Sequence, residues 1–121
     1  MHCLQYGGYH TSVSGKLHFV GPDQLHGFEE RLTTDIYPSG FNWTPDWKKG
    51  VYPNIGTSVR DLSKSGLCTW SLQLDYDEEV HHNALRKLRD LARERSRPFF
   101  LCVSYTHPHD PFIINSKYWD L

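Results

Sequence analysis

The pattern of apolar and polar positions predicts a strand, a long irregular stretch, a helix and a second strand, in that order. Residues 9–13 form a short β-prone run that ends before Gly15. Residues 75–96 carry apolar side chains at helical spacing, and Pro98 ends that pattern. Residues 99–105 are an almost continuous apolar run, which is typical of a strand covered on both faces. This order predicts an α/β protein with a largely parallel sheet flanked by helices.

One apolar face and an ordered distribution of charge support the helix over residues 75–96. The residues of that face are Val80, Ala84, Leu88, Leu91 and Ala92. Asp75 and Glu78 fit a capping box at the start of the helix. Acidic residues come first and basic residues follow, which is the order that the helix dipole favours.

Residues 21–66 contain most of the glycines and prolines and show little periodicity. Only residues 58–65 indicate a helical turn there. So long an irregular segment in a compact domain is usually functional or an insertion. Trp43 and Trp47 could line a pocket for a quaternary ammonium group by cation–π contact, although packing of the loop is the more common role for such residues.

Composition excludes several classes of protein. A net charge of −1 over 121 residues gives no indication of a nucleic-acid or anionic-membrane partner. No apolar run approaches the roughly 20 residues that a membrane-spanning helix needs. Cys3, Cys68 and Cys102 form no close pair, which argues against a disulfide framework and a zinc motif. Free cysteines suit a reducing compartment, so we expect a cytoplasmic protein.

Cationic side chains follow both predicted strands. Lys16 and His18 come just after the first strand, and His107 and His109 just after the second. Ligands of open α/β sheets bind beyond the carboxyl ends of the strands. Lysine is a compact cation that suits an oxyanion, and histidine can donate a hydrogen bond or protonate a leaving alkoxide. These four residues therefore predict a pocket for a tetrahedral oxyanion such as sulfate or phosphate.

Plainer interpretations stay open for some of these residues. Lys16 and His18 could lie in a solvated turn. His81 and His82 are adjacent near a helix start and do not share a helix face, so we expect them to be solvated rather than to bind a metal. Asp110 is expected to cap its turn, and it could instead orient the histidine before it or bind a metal.

Two motifs resemble signatures of the sulfatases of the alkaline-phosphatase-like superfamily. The motif Gly-Tyr-x-Thr-x-x-x-Gly-Lys-x-His at residues 8–18 is similar to the family's second signature, in which the lysine and the histidine contact the sulfate ester. The motif Pro-His-x-Pro at residues 108–111 resembles a later strand-end motif whose histidine also reaches the sulfate. Further stretches resemble the family members that act on choline sulfate: residues 15–38, 43–47, 73–80 and 106–111.

The resemblance implies part of an alkaline-phosphatase-like sandwich within an enzyme that hydrolyses a sulfate ester, with choline sulfate as the expected substrate. A formylglycine would attack the sulfur, and a calcium or magnesium ion would hold the sulfate oxygens. Lys16 would neutralise charge on the transferring group, and His109 would protonate the leaving alcohol or donate a hydrogen bond to it. His18 would bind a sulfate oxygen or hold the formylglycine diol, and His107 is expected to contact the substrate.

The sequence departs from the family's pattern at the nucleophile and at the metal site. No cysteine or serine stands in a Cys-x-Pro-Ser-Arg motif, and the family's paired aspartates and later Asp-Asn pair are absent. A strand soon after Met1 with no leading element, and an apolar end at residues 117–121, also suggest a fragment. We therefore expect residues 1–121 to be an internal segment of a sulfatase domain, with no metal ligands and no activity in isolation.

Other functions remain open. A phosphodiesterase or phosphonate monoester hydrolase of the same superfamily would also bind a tetrahedral oxyanion. A non-catalytic remnant could capture anions or choline, and a truncated gene product would have no function alone. For the complete enzyme we expect a small-molecule substrate, no nucleic-acid or membrane partner, and an assembly that could be a homo-oligomer.

Overall fold

A computed structural model of the chain describes residues 1–37, 48 and 59–121. Its elements in chain order are helix α1 (His2–Tyr6), strands β1 (His10–Gly15) and β2 (Glu30–Thr33), a 3-10 helix (Val59–Lys64), strand β3 (Gly66–Leu67), helix α2 (Leu72–Arg93), strands β4 (Phe99–Ser104) and β5 (Ile113–Ile114), and a second 3-10 helix (Ser116–Tyr118). The predictions for Trp43 and Trp47 lie outside the described residues.

The described strands form two parallel sheets. The larger sheet has the order β2-β1-β4, and both of its pairings are parallel. Strands β3 and β5 form a separate parallel pair. Helix α2 packs against all three strands of the larger sheet. The prediction of an α/β protein with a largely parallel sheet is confirmed.

Strand β1 lies at the centre of the larger sheet, and most of its buried side chains are small and polar. Its fully buried residues are Thr11, Ser12, Val13 and Ser14. The hydroxyl of Ser14 donates to the carbonyl of Val80 in α2 at 3.0 Å and lies 3.1 Å from the hydroxyl of Thr33 in β2. Hydroxyls that are hydrogen-bonded in this way can be buried without a large desolvation cost. The same contacts hold α2 close to the centre of the sheet.

Helix α2 begins and ends three residues earlier than predicted. Ser71 is its N-cap, and the Ser71 hydroxyl accepts a hydrogen bond from the Leu74 amide at 3.1 Å. The predicted capping box at Asp75 and Glu78 is therefore wrong, because Ser71 already caps the helix one turn before Asp75. The helix ends at Arg93, several residues before the proline that was expected to stop it.

The buried face of α2 agrees with the prediction only in part. Its buried residues are Gln73, Tyr76, Val80, Ala84 and Leu91. Leu88 is 43% exposed, and Ala92 is also exposed. A pattern of apolar side chains does not find Gln73, whereas Tyr76 lies one helical turn before Val80 and fits that pattern, although the predicted face did not include it. Both are buried because their polar groups bond to other parts of the chain.

Strand β4 is an outer strand of the described sheet, and the expectation that both of its faces are covered is wrong there. Phe99, Phe100 and Val103 are 40%, 36% and 39% exposed. Within the part of the chain that the structure describes, β4 pairs with β1 alone, and its outward side chains meet no second layer.

Helix α1 precedes β1, so the expectation that no element leads into the first strand is wrong. The predicted turn at residues 58–65 is confirmed as the 3-10 helix Val59–Lys64. The three cysteines are free thiols. Among the described residues, no helix combines the length and the apolar character needed to cross a membrane.

Candidate oxyanion site

The two loops that carry the candidate residues begin side by side. Gly15, the last residue of β1, pairs with Ser104, the last residue of β4. The amide of Lys16 then donates to the Ser104 carbonyl at 3.0 Å. Neighbouring strands lie about 4.8 Å apart, so the chains leave the sheet as neighbours at its carboxyl edge. We call residues 16–18 the β1 loop and residues 105–110 the β4 loop.

Gly15 makes this close approach sterically possible. Its φ is +119°, a conformation that residues with a side chain rarely adopt. A Cβ atom at this position would lie 1.9 Å from the Ser104 carbonyl oxygen. Only glycine fits there without displacing β4.

The carboxylate of Asp35 holds the backbone of the β1 loop. Its Oδ2 accepts hydrogen bonds from the amides of Leu17 at 2.9 Å and His18 at 2.7 Å. The guanidinium of Arg31 lies 3.1 Å from the same oxygen. The Asp35 and Arg31 side chains are only 4% and 8% exposed. Burial opposes ionisation, but the amide hydrogen bonds and Arg31 keep the pKa of Asp35 below its usual value.

The ring of Tyr37 brings the side chains of Lys16 and His18 together. The ammonium nitrogen of Lys16 lies 5.3 Å from the centre of the Tyr37 ring, within cation–π range. The imidazole of His18 is tilted against the same ring, with 6.4 Å between the ring centres. Lys16 is partly buried and His18 is exposed, so the His18 side chain is accessible from solvent.

The carboxylate of Asp77, in the second turn of α2, holds the β4 loop in a similar way. Its Oδ1 accepts from the Thr106 amide at 2.6 Å, and its Oδ2 accepts from the His107 amide at 3.0 Å. The ring nitrogen Nδ1 of His107 lies 2.6 Å from Oδ2. The other nitrogen, Nε2, is buried and has no hydrogen-bond partner among the described residues. Because Nδ1 contacts Asp77, any further hydrogen bond of the His107 ring would have to be made by the buried Nε2.

His109 is more accessible than His107. Its side chain is 42% exposed, and its Nδ1 lies 3.0 Å from the backbone carbonyl oxygen of Asp110 and also contacts the Asp110 carboxylate. The His109 amide donates to the Thr106 carbonyl at 3.0 Å, which closes the turn between them. Of the roles considered for Asp110, orienting His109 is the one that this contact supports. Nε2 is then the ring nitrogen of His109 that does not face Asp110.

A cavity of about 510 Å³ lies beside α2 and the β4 loop. Among the residues of its mainly apolar lining are Leu74, Phe112, Ile113, Ile114 and Trp119. His107 also contributes to this lining, but the other three candidate residues do not. His107 and His109 therefore have different surroundings, although only one residue separates them.

The described residues do not fit the metal ion and the formylglycine that the resemblance implies. Within residues 1–37, 48 and 59–121, no group of three or more histidine, cysteine, aspartate or glutamate side chains could hold a metal ion. Asp35 and Asp77 direct their carboxylates to backbone amides. Burial raises the pKa of the Cys102 thiol, which disfavours a reactive thiolate. His81 and His82 are exposed, as expected, and Nδ1 of His81 contacts the Tyr105 hydroxyl at 2.9 Å.

The two holding carboxylates were not identified from the sequence. Asp35 lies within residues 21–66, which show little periodicity, and Asp77 stands among other acids near a helix start. Both positions fall in stretches that resemble the sulfatases, residues 15–38 and 73–80, but neither belongs to one of the two signature motifs. Their role depends on loops that lie 17–18 and 29–30 residues away along the chain. Only the assembled sheet brings them to those loops.

Comparison with known proteins identifies relatives among the sulfatases. No family model matches the chain. A choline-sulfatase of Rhizobium meliloti is 50% identical over 130 residues, which cover 99% of this chain and 25% of that protein. An arylsulfatase of Clostridium perfringens is 30% identical over 132 residues, which cover 94% of this chain and 27% of that protein.

A third relative is the uncharacterized sulfatase YidJ of Escherichia coli, which is 28% identical over 124 residues. The chain spans about a quarter of the length of these curated relatives. It is therefore a sulfatase homologue that matches one segment of those proteins, and the resemblance noted in the sequence is confirmed.

Proposed function

We propose that this chain is the part of a sulfuric ester hydrolase that contacts the oxygens of the substrate, and that the complete enzyme hydrolyses choline sulfate. The observation that carries the proposal is the pairing of Gly15 with Ser104, which starts the β1 and β4 loops side by side. The 50% identity to a choline-sulfatase supports the choice of substrate.

Lys16 is the residue that we assign to the sulfate oxygens. When the S–O ester bond breaks, negative charge is redistributed over the sulfuryl oxygens and the leaving oxygen. An ammonium group fixed beside these oxygens lowers the energy of that charge distribution, most effectively where water is excluded. The contact of Lys16 with the Tyr37 ring supports this role, because it restricts a side chain that would otherwise be flexible.

His109 is the residue that we assign to the leaving alcohol. The electron pair of the broken bond stays on the ester oxygen, which must then gain a proton. An imidazolium donates that proton from Nε2 and becomes neutral imidazole. Asp110 contacts the opposite nitrogen of His109, and this contact directs Nε2 away from the turn.

The two remaining histidines have more limited roles in this proposal. His18 donates a hydrogen bond to a sulfate oxygen, because its backbone is fixed by Asp35 while its ring stays exposed. His107 could contact the substrate only through Nε2, since Nδ1 faces Asp77. The nucleophile and the metal ligands would come from other parts of the longer protein.

The first test is to recover the complete reading frame from genomic DNA and to assay its product. We expect an upstream Cys-x-Pro-Ser-Arg motif and a downstream Asp-Asn pair. The purified protein should release sulfate from choline sulfate. Lys16→Ala should lower kcat/KM by about 100-fold to 1,000-fold, which is typical for the loss of one group that stabilises transition-state charge.

Lys117→Ala is the matched control, because Lys117 is an exposed lysine that pairs with Glu78 outside the proposed site. This variant should keep kcat/KM within about twofold. A preference for phosphate diesters or phosphonate monoesters would show that the second hydrolase class is correct. Sulfate or choline binding without turnover would instead identify a non-catalytic remnant.

A further inference from the structure

Asp77 makes more contacts with the β4 loop than a solvated helix acid would. The carboxylate is only 15% exposed, although it lies in the first turns of a surface helix. Three donors converge on it: the amides of Thr106 and His107 and the ring nitrogen of His107. The neighbouring acid Glu79 is exposed. The structure thus distinguishes Asp77 from the other acids at the start of α2.

These contacts determine the direction in which the chain leaves β4. Consecutive amides that point to one carboxylate fix the backbone at Thr106 and His107, because each hydrogen bond to a charged group is stronger than one between neutral groups. The turn continues to His109, whose amide donates to the Thr106 carbonyl at 3.0 Å. The position of the His109 ring therefore depends on Asp77 through two hydrogen bonds. The Thr106 amide donates to Asp77, and the His109 amide donates to the Thr106 carbonyl.

We propose that Asp77 is a positioning residue, which holds the Thr106 and His107 amides so that His109 reaches the leaving oxygen of the sulfate ester. This inference rests on the proposed function, because it needs His109 to act on the substrate. Asp77 itself does not touch the reacting atoms. It acts through the backbone of the β4 loop.

Asp77→Asn is the informative substitution, because it preserves size and removes one acceptor. An asparagine side chain has a single carbonyl oxygen, and its amide group is a donor. This one oxygen can accept from the Thr106 amide, or from the amide and the ring nitrogen of His107, but not from all three. Glu79→Gln is the matched control, since it makes the same acid-to-amide change on an exposed position of the same helix.

The choice of substrate separates positioning from general damage to the fold. Choline is an aliphatic alcohol and a poor leaving group, so its departure needs the proton from His109. 4-Nitrophenolate is a good leaving group and needs no proton at that step. A displaced His109 should therefore slow choline sulfate hydrolysis much more than 4-nitrophenyl sulfate hydrolysis.

In the complete protein, we expect Asp77→Asn to lower kcat on choline sulfate by about 100-fold, the scale of a small misplacement of a catalytic group. kcat on 4-nitrophenyl sulfate should fall by less than about fivefold, and KM should change little for both esters. Glu79→Gln should match the wild type on both substrates. An equal loss of kcat on the two esters would overturn the inference.

Hydrogen exchange measured by mass spectrometry gives a readout that does not need activity. In Asp77→Asn, peptides containing Thr106 and His107 should exchange about tenfold faster, as expected when a hydrogen bond is lost, while peptides from β1 keep their wild-type rate. Unchanged exchange would contradict the holding role of Asp77. A wild-type protein that hydrolyses neither ester would overturn the proposed function, and the exchange rates would still decide whether Asp77 holds the loop.

Discussion

The β1 loop and the β4 loop are each held by one carboxylate, but the two carboxylates have different partners. In each loop, one carboxylate accepts two consecutive backbone amides: Asp35 holds Leu17 and His18, and Asp77 holds Thr106 and His107. Asp35 is 4% exposed and pairs with the guanidinium of Arg31. Asp77 is 15% exposed and faces an imidazole.

This difference indicates how each loop depends on the rest of the molecule. Arginine is charged at any pH that a protein experiences, so the Asp35–Arg31 pair persists wherever Asp35 is ionised, and both side chains are nearly fully buried. The cost of losing one member of such a pair falls on the folded state as a whole. Asp77 is less buried, and its loss should affect the local geometry of the β4 loop more than overall stability.

Gly15→Ala should lower the free energy of unfolding the most, because Gly15 lies where the β1 and β4 loops begin. The new Cβ would lie 1.9 Å from the Ser104 carbonyl oxygen, at a φ of +119°. Overpacking and backbone strain each cost about 1–3 kcal/mol, so we expect the free energy of unfolding to fall by about 4 kcal/mol. Thermal unfolding of the complete protein, followed by calorimetry, measures this change.

Gly8→Ala is the control for backbone strain alone. Gly8 also has a positive φ, of +86°, but its Cβ would meet nothing within 4 Å. We expect a loss of about 1 kcal/mol there. Equal losses at Gly8 and Gly15 would show that the close approach of β1 and β4 contributes nothing, and that the loops are placed by other contacts.

Asp35→Asn should have the next largest effect, because it changes the carboxylate that holds the β1 loop and pairs with Arg31. It leaves the Arg31 guanidinium buried without a carboxylate, and such losses cost about 3 kcal/mol or more. Asp23→Asn is the control, because Asp23 also accepts two loop amides, from Leu25 and His26, but lies at an exposed site. It should change the free energy of unfolding by less than about 1 kcal/mol. Similar losses for the two variants would contradict the distinct role of the buried pair.

The pH dependence of that loss identifies its cause. The pKa of Asp35 is lowered in the folded state, so its contribution to stability is complete above its ordinary pKa of about 3.9 and is lost as the pH falls through the lowered value. The stability difference between wild type and Asp35→Asn should stay constant from about pH 5 to 8 and decrease below about pH 4. A difference that persists unchanged in acid would point to packing rather than charge.

Local patterns predicted the elements that carry the loops, whereas long-range contacts determine how the loops are held. Strand β1 and the existence of α2 follow from turn residues and apolar spacing that lie within a few positions of each other. Asp77 could not be assigned in this way, because its partners in the β4 loop depend on α2 packing against β4. The capping error at Asp75 has a different origin, because the actual cap is the local contact of Ser71 with the Leu74 amide. Asp75 and Glu78 fit the capping-box pattern one turn later, so the predicted start is three residues too late.

In the candidate site, too, local patterns predict where residues lie, and long-range contacts determine how their side chains are held. Lys16, His18, His107 and His109 follow strands, and the rule for ligands of α/β sheets places them at one edge. That rule could not distinguish the two histidines of the β4 loop. The difference between His107, which faces Asp77, and His109, which faces Asp110, is visible only in side-chain contacts.

The smallest predicted effect concerns the connection between the two loops. The buried amide of Gln73 in α2 donates to the Tyr37 hydroxyl at 3.0 Å and to the Asp110 carbonyl at 2.8 Å. It therefore joins the ring beside Lys16 to the turn that carries His109. Each neutral hydrogen bond of this kind contributes about 1 kcal/mol.

A double-mutant cycle with Gln73→Met and Tyr37→Phe measures this connection through the free energy of unfolding. Both changes keep side-chain volume and remove one partner of the Gln73–Tyr37 hydrogen bond. We expect a coupling energy of about 1 kcal/mol, because the second substitution costs less once the first has removed the bond. The same cycle with Tyr6→Phe, at a position 98% exposed, should be additive. Additivity in both cycles would mean that the loops are held independently by Asp35 and Asp77, and that α2 connects them only by packing.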